Sequence, residues 1–302
     1  MWTRTILPLS FAALLATGVA ASDVPARSGT LKVPGATLYH EMHGTGPMLL
    51  IIPGGPQDAG VFAGLARHLA DDFTVVAFDP RGNSRSPFDG PPEPLDIDVQ
   101  ADDAARLIAA LGIGPAFVFG ASGGAQIGLN LVARHPDLVR ALVAHEPPAT
   151  LLLDDPTEAL AADWEIHDTY LREGVDAAMA RFFAMAALDV GANDAPAPAA
   201  FDMTPEDAET FARVSGNFEY WLAHGMLPLS LYRPDADVLR SGTPPVIVAL
   251  GEDSRGMPIH AMGSALARDL GVAPVDFPGG HLGFETDPAA FAETLVRELQ
   301  SR

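Results

Sequence analysis

Cysteine is absent from all 302 residues, which removes disulfides, thiolate metal sites, a thiol nucleophile and a lipid-modified cysteine anchor from consideration. Positive charge is scarce. Lysine and arginine total 18 against 39 aspartates and glutamates, Lys32 is the single lysine, and the formal net charge is −21. A field of that sign repels phosphate backbones and anionic headgroups, so nucleic acid and acidic membrane surfaces are excluded as partners. What is present is the composition of a globular chain, 48% hydrophobic and 19% charged, with enough apolar residues for a full core. Its chemistry must rest on oxygen and nitrogen groups.

The first residues read as a leader. Arg4 precedes an apolar run from Ile6 to Ala20 that Pro8 interrupts, and Val19, Ala20 and Ala21 fit a cleavage signal before Ser22. We expect a signal peptide over residues 1–21. The run is shorter than the roughly 20 apolar residues of a membrane span. The mature protein is therefore expected to be exported, periplasmic or secreted, with no stable membrane insertion after cleavage.

Beyond the leader, short apolar runs alternate with helix-period segments, the pattern of an α/β chain with a mostly parallel central sheet and helices on both faces. Strands are expected at Met48–Ile52, Phe73–Phe78, Ala116–Phe119, Leu138–Ala144, Val246–Leu250 and Val275–Phe277. His40 and His43 fall on a further, half-exposed strand. Helices are expected near residues 60–70, 98–111, 124–134, 259–270 and 288–299. Residues 149–242 show helical, Ala-, Met- and aromatic-rich segments with no strand pattern, and residues 191–200 read as a loop. The implied organisation is a core of residues 22–148 and 243–302 carrying an inserted helical cap, residues 149–242.

The strongest chemical signal is Gly120-Ala121-Ser122-Gly123-Gly124, set between a strand and a helix. In that context G-x-S-x-G is a nucleophile elbow, which lifts the serine hydroxyl above the carboxyl edge of the sheet. Ser122 is the candidate nucleophile. An oxyanion needs backbone donors: Gly123, at a helix N-terminus, supplies one, and Gly55 in Pro53-Gly54-Gly55-Pro56 supplies the other because its proline neighbours have no N–H. Gln57 is a possible side-chain donor beside them. Of nine histidines, His281 alone follows the last strand in a glycine loop, where a general base can meet a serine hydroxyl. No histidine has metal-ligand spacing, and no metal or cofactor is expected. Two carboxylates compete to orient the imidazole: Glu146, after the strand ending at Ala144, and Asp253, after the strand ending at Leu250.

These motifs, with Asp79-Pro80-Arg81-Gly82 and Gly279-Gly280-His281, resemble those of the α/β-hydrolase superfamily, in particular its esterases and lipases with a helical cap. The chain order serine, acid, histidine matches as well. The resemblance implies an α/β-hydrolase fold and assigns Asp79 and Arg81 to fixing a loop. Members often carry the acid three residues after the glycine that ends the penultimate strand. Here that place is Ser254, with Asp253 one residue early. Some lipases place the acid where Glu146 stands, so the resemblance leans to Glu146 while leaving Asp253 open. Asn83 stands where a glycine is frequent.

The implied activity is cleavage of carboxylic esters of small or medium soluble substrates through an acyl-enzyme. Trp164, Phe182, Phe183 and Trp221 of the cap are candidates for an apolar substrate pocket. The same serine site also serves cofactor-free haloperoxidases or perhydrolases and proline-type aminopeptidases, the last requiring cap acids such as Glu158, Asp163, Glu165, Glu206 or Glu219 to bind an amino terminus. A non-catalytic binding module on the same fold is the alternative of a different class. An epoxide hydrolase would need a carboxylate in place of Ser122.

Overall fold

The computed structural model describes residues 26–186 and 204–302. The expected signal peptide and the loop over residues 191–200 lie outside the described residues. Among the described residues, one sheet contains all eight strands: β1 (Arg27–Val33), β2 (Ala36–His43), β3 (Met48–Ile52), β4 (Thr74–Phe78), β5 (Ala116–Ala121), β6 (Val139–His145), β7 (Val246–Gly251) and β8 (Val275–Phe277). Their spatial order is β1-β2-β4-β3-β5-β6-β7-β8. The pairs β1–β2 and β2–β4 are antiparallel, and the rest of the sheet is parallel.

Helices α1 (Ala63–Leu69), α2 (Ile97–Leu111) and α3 (Gly123–Arg134) connect the first parallel strands. Between β6 and β7 the described residues form helices, with α4 (Thr157–Glu173), α5 (Val175–Met185), α6 (Pro205–Gly216), α7 (Phe218–Tyr220), a π turn at Trp221–Gly225, α8 (Met226–Ser230) and α9 (Ala236–Leu239). Helices α10 (Pro258–Leu270), α11 (Gly283–Thr286) and α12 (Pro288–Gln300) complete the chain.

Strands β3, β4, β5 and β7 are buried along their whole length, without alternation, because both faces are covered. Met48, Leu50 and Ile52 of β3 pack with residues of α2, α3 and α10, while Leu49 and Ile51 pack with α1 and α12. Helix α2 shows how local signals match this packing. Asp96 caps it by accepting from the Asp98 and Val99 amides, Gly112 ends it at a φ of 66°, and Ala101, Ala104, Leu107 and Ile108 form its buried stripe.

The chain that leaves β3 covers one face of the sheet and the chain that leaves β5 covers the other. Between adjacent β3 and β5 the topology therefore reverses, which opens a crevice at their carboxyl ends. The Pro53–Pro56 loop and Ser122 both emerge at that crevice. Opposite them, Ile166, Met179, Trp221, Leu222 and Met226 form the apolar centre of the helical segment. Among the described residues, no helix is long and apolar enough to cross a membrane.

Candidate active site

Ser122 caps α3 at φ 52° and ψ −122°, a conformation unusual for a residue with a side chain and one that costs on the order of 1–3 kcal/mol. The surroundings hold it there. Its amide donates to the His145 carbonyl at 2.8 Å. The turn also needs close backbone approach: a Cβ on Gly124 would sit 2.0 Å from the Ile52 carbonyl oxygen, so that position admits only glycine. Ser122 itself is partly exposed.

Two neighbouring amides face the same place. Gly54 N–H donates to Gln57 Oε1 at 3.2 Å, so that amide is occupied and the Gln57 side chain is folded onto the loop. Gln57 thus acts on the loop as an acceptor, in place of the donor role expected for it. Gly55, at a φ of 49°, donates to no described residue, and its nitrogen would lie 3.4 Å from a Cβ on Gly123. The Gly55 and Gly123 amides are therefore side by side at the end of β3 and the start of α3.

The loop is braced from behind. Asn83 Nδ2 donates to the Gly55 carbonyl at 3.2 Å and to the Gln57 carbonyl at 3.0 Å, which accounts for an amide side chain at a position where glycine is frequent. Asn217 Nδ2 donates to the Pro56 carbonyl at 2.8 Å, and its Oδ1 accepts from the Ser84 amide at 2.8 Å. Buried Asp79 accepts from Arg85 Nε and Nη2 and from the Ala59 amide, and Arg81 forms a bidentate pair with Asp103 at 2.7 Å.

Of the two competing acids, Glu146 meets the histidine. His281 Nδ1 lies 2.8 Å from Glu146 Oε2, and that carboxylate also accepts from the Gly251 amide at 2.9 Å and from Ser254 Oγ at 3.1 Å. Burial alone would raise the Glu146 pKa, but the His281 bond, the His281 charge and the Gly251 amide outweigh it and hold the group below the ordinary carboxylate range. Asp253 is exposed and joins the site only through its backbone amide, which donates to the Gly279 carbonyl at 3.0 Å. Buried Ser254 is turned inward as a donor to Glu146, which leaves Asp253 facing water.

The sequence marks His145 only as abutting a strand end, which reads as a surface or satisfied core histidine. It is fully buried, neither ring nitrogen has a hydrogen-bond partner, and it lies nearly parallel to His281 at 6.2 Å between ring centroids. Phe119, Phe277, Phe284 and Phe291 surround it. Burial depresses its pKa to about 3, so it is neutral near pH 7. Its only sequence signal was its position at a strand end beside Glu146.

The expected pocket residues separate. Trp221 is buried and lines a cavity beside Gly55. Phe182 packs edge-on against Trp221 at 4.5 Å, and Phe183 against Phe218 at 6.1 Å, so both sit in the apolar centre of the cap rather than at the cavity wall. Trp164 is 47% exposed on α4 and does not line the cavity, because its helix turns that face to solvent. Of the acids that amine recognition would use, Glu158, Glu165, Glu206 and Glu219 are exposed. Asp163 is buried beside Ser230, and burial raises its pKa.

A mostly parallel sheet, a serine on a strained strand-to-helix turn, and a histidine bonded to a buried carboxylate at the same sheet edge define a hydrolase architecture. The family model described as alpha/beta hydrolase fold matches residues 47–288, and the chain belongs to that family. It is 32% identical over 277 residues to the uncharacterized hydrolase YraK of Bacillus subtilis (strain 168), covering 90% of this chain and 96% of YraK. Over 108 residues, 36% of this chain and 38% of the relative, it is 39% identical to 2-(acetamidomethylene)succinate hydrolase of Mesorhizobium japonicum (strain LMG 29417 / CECT 9101 / MAFF 303099). Among solved structures, a thermophilic esterase from Thermogutta terrifontis aligns with a TM-score of 0.68 at 23% identity, over 92% of this chain and 99% of that one, which shows the shared fold.

Proposed function

We propose that this hydrolase cleaves carboxylic esters of small or medium soluble substrates, with Ser122 as nucleophile. The observation that carries the reading is the conformation of Ser122 at the elbow, beside the free Gly55 and Gly123 amides and on the sheet edge where His281 is bonded to Glu146.

His281 Nδ1 donates to Glu146, which leaves Nε2 to accept the Ser122 proton as Oγ attacks the carbonyl carbon. The carbonyl π electrons move onto oxygen, and the Gly55 and Gly123 amides take the resulting charge at the positive end of α3. Collapse returns the electrons, breaks the ester C–O bond and passes the proton from His281 to the departing alcohol. Water then attacks the acyl-enzyme by the same route and releases the acid. Export after cleavage before Ser22 belongs to the same proposal, and N-terminal sequencing of the secreted product tests it.

The deciding experiment is hydrolysis of a chain-length series of p-nitrophenyl esters by the wild type and by Ser122→Ala. Turnover in the wild type that falls by about 10⁴-fold or more in the variant supports the reading. Equal turnover in both, or none on any ester by folded wild type, overturns it.

A further inference from the structure

The carboxylate of Glu146 is held at both of its oxygens. Oε1 accepts from the Gly251 amide at 2.9 Å, and Oε2 is shared by His281 Nδ1 at 2.8 Å and Ser254 Oγ at 3.1 Å. An ionised carboxylate only accepts, so the Ser254 hydroxyl is the donor. Glu146 and Ser254 are both fully buried, which keeps bulk water out of that bond.

A glutamate has one side-chain torsion more than an aspartate, and rotation about the last of them is soft, so its carboxylate turns unless partners fix it. The Gly251 amide fixes the oxygen that faces away from the imidazole. Ser254 fixes the one that the imidazole meets. The place of Ser254 is set in turn by the histidine loop: the Asp253 amide donates to the Gly279 carbonyl at 3.0 Å, a Cβ on Gly251 would lie 2.8 Å from that same oxygen, and one on Gly280 would lie 3.5 Å from Ser254 Oγ. The hydroxyl therefore stands between the loop that carries His281 and the acid bonded to it. Proton transfer between Ser122 and His281 gives this buried group no part of its own.

We propose that Ser254 is a positioning residue of the reaction, acting through Glu146; the proposal rests on the ester-hydrolase reading above. Its hydroxyl holds the carboxylate at the angle that keeps the His281 imidazole turned with Nε2 toward Ser122. Ser254 touches neither the substrate nor the reacting atoms. Its contribution is preorganisation of the base, so its loss falls on kcat and leaves substrate binding alone.

The test is a double-mutant cycle on the p-nitrophenyl ester that the wild type cleaves fastest. Ser254→Ala, checked for folding by thermal melting, is expected to lower kcat by about tenfold with KM within about twofold. In a Glu146→Ala background there is no carboxylate to hold, so adding Ser254→Ala is expected to change kcat by less than about twofold. An unchanged kcat in Ser254→Ala, or a loss of the same size in both backgrounds, overturns the proposal. Proton NMR reads the same contact without turnover, through the low-field resonance of the His281 Nδ1 proton bonded to Glu146. Broadening of that resonance in Ser254→Ala, with no ester cleaved by the wild type, refutes the ester chemistry and upholds the positioning role. A resonance identical in the two proteins refutes the role, whatever the esters do.

Discussion

Replacing His145 with phenylalanine should change how stability depends on pH, because His145 is a base held neutral. The folded protein keeps its pKa at about 3 by burial, whereas the unfolded value is 6.5. Above pH 6.5 neither state binds this proton. Between 6.5 and about 3 only the unfolded chain takes it up, so unfolding is favoured and stability falls as pH falls through that window. The slope approaches about 1.4 kcal/mol per pH unit. From pH 7.5 to 4.5 the wild type should lose about 2.5 kcal/mol more than His145→Phe, whose ring suits the surrounding phenylalanines. Urea unfolding of both proteins at the two pH values measures this, and the difference cancels the carboxylates common to both. A stability difference that does not change with pH would refute the argument that His145 is desolvated and unpaired.

Four further outcomes follow from the site. Glu146→Gln should lower kcat by about 10³- to 10⁴-fold on the best ester, since the imidazole loses its orienting charge, while Asp253→Asn should stay within about twofold. Gly54→Ala would place a Cβ 2.4 Å from the Ala121 carbonyl oxygen and 2.8 Å from Ser122 Cβ, so thermal melting should show about 1–3 kcal/mol of destabilisation. Asn83→Ala removes the donors to the Gly55 and Gln57 carbonyls and should cut kcat/KM by about tenfold through a slackened oxyanion loop. Arg213→Met leaves fully buried Asp58 without its 2.7 Å partner and should cost about 2–4 kcal/mol in chemical unfolding.

The central parallel strands were legible because β3, β4, β5 and β7 are nearly unbroken apolar runs, with Arg140 interrupting β6 and Asp276 interrupting β8. The expected limits of β3 and β8 match the structure, and those of β4 to β7 fall within one or two residues. Strand β1 was not legible: Val33 is its only buried residue, as befits a sheet edge, so no hydrophobic pattern marks it. Helix α11 has no expected counterpart: it is only four residues long, and its first residue, Gly283, is buried where a Cβ would strike the Pro278 carbonyl oxygen at 2.2 Å. Local context alone singled out Ser122 and His281. It could not choose between Glu146 and Asp253, because both follow strands ending at the same edge, and only side-chain direction separates them.

Asn217 shows what lies wholly beyond local reading. It belongs to the helical segment between α6 and α7, yet one amide joins the Pro56 carbonyl, Ser84 Oγ and the Ser84 backbone N–H, each at 2.8 Å. Asn83, next to Ser84, grips the Gly55 and Gln57 carbonyls at the same time. The oxyanion loop is thus held from the core side and from the helical side by neighbouring contacts. Any shift of the helices over the sheet must pull on Pro56, and through it on the Gly55 amide that faces Gly123. Trp221, four residues after Asn217, lies on the same segment and lines the space beside Gly55. On the proposed mechanism these contacts fix the Gly55 amide that receives the oxyanion charge. A loosened Asn217 contact should then depress kcat more than it raises KM, because the amide stabilises charge that develops only in the transition state.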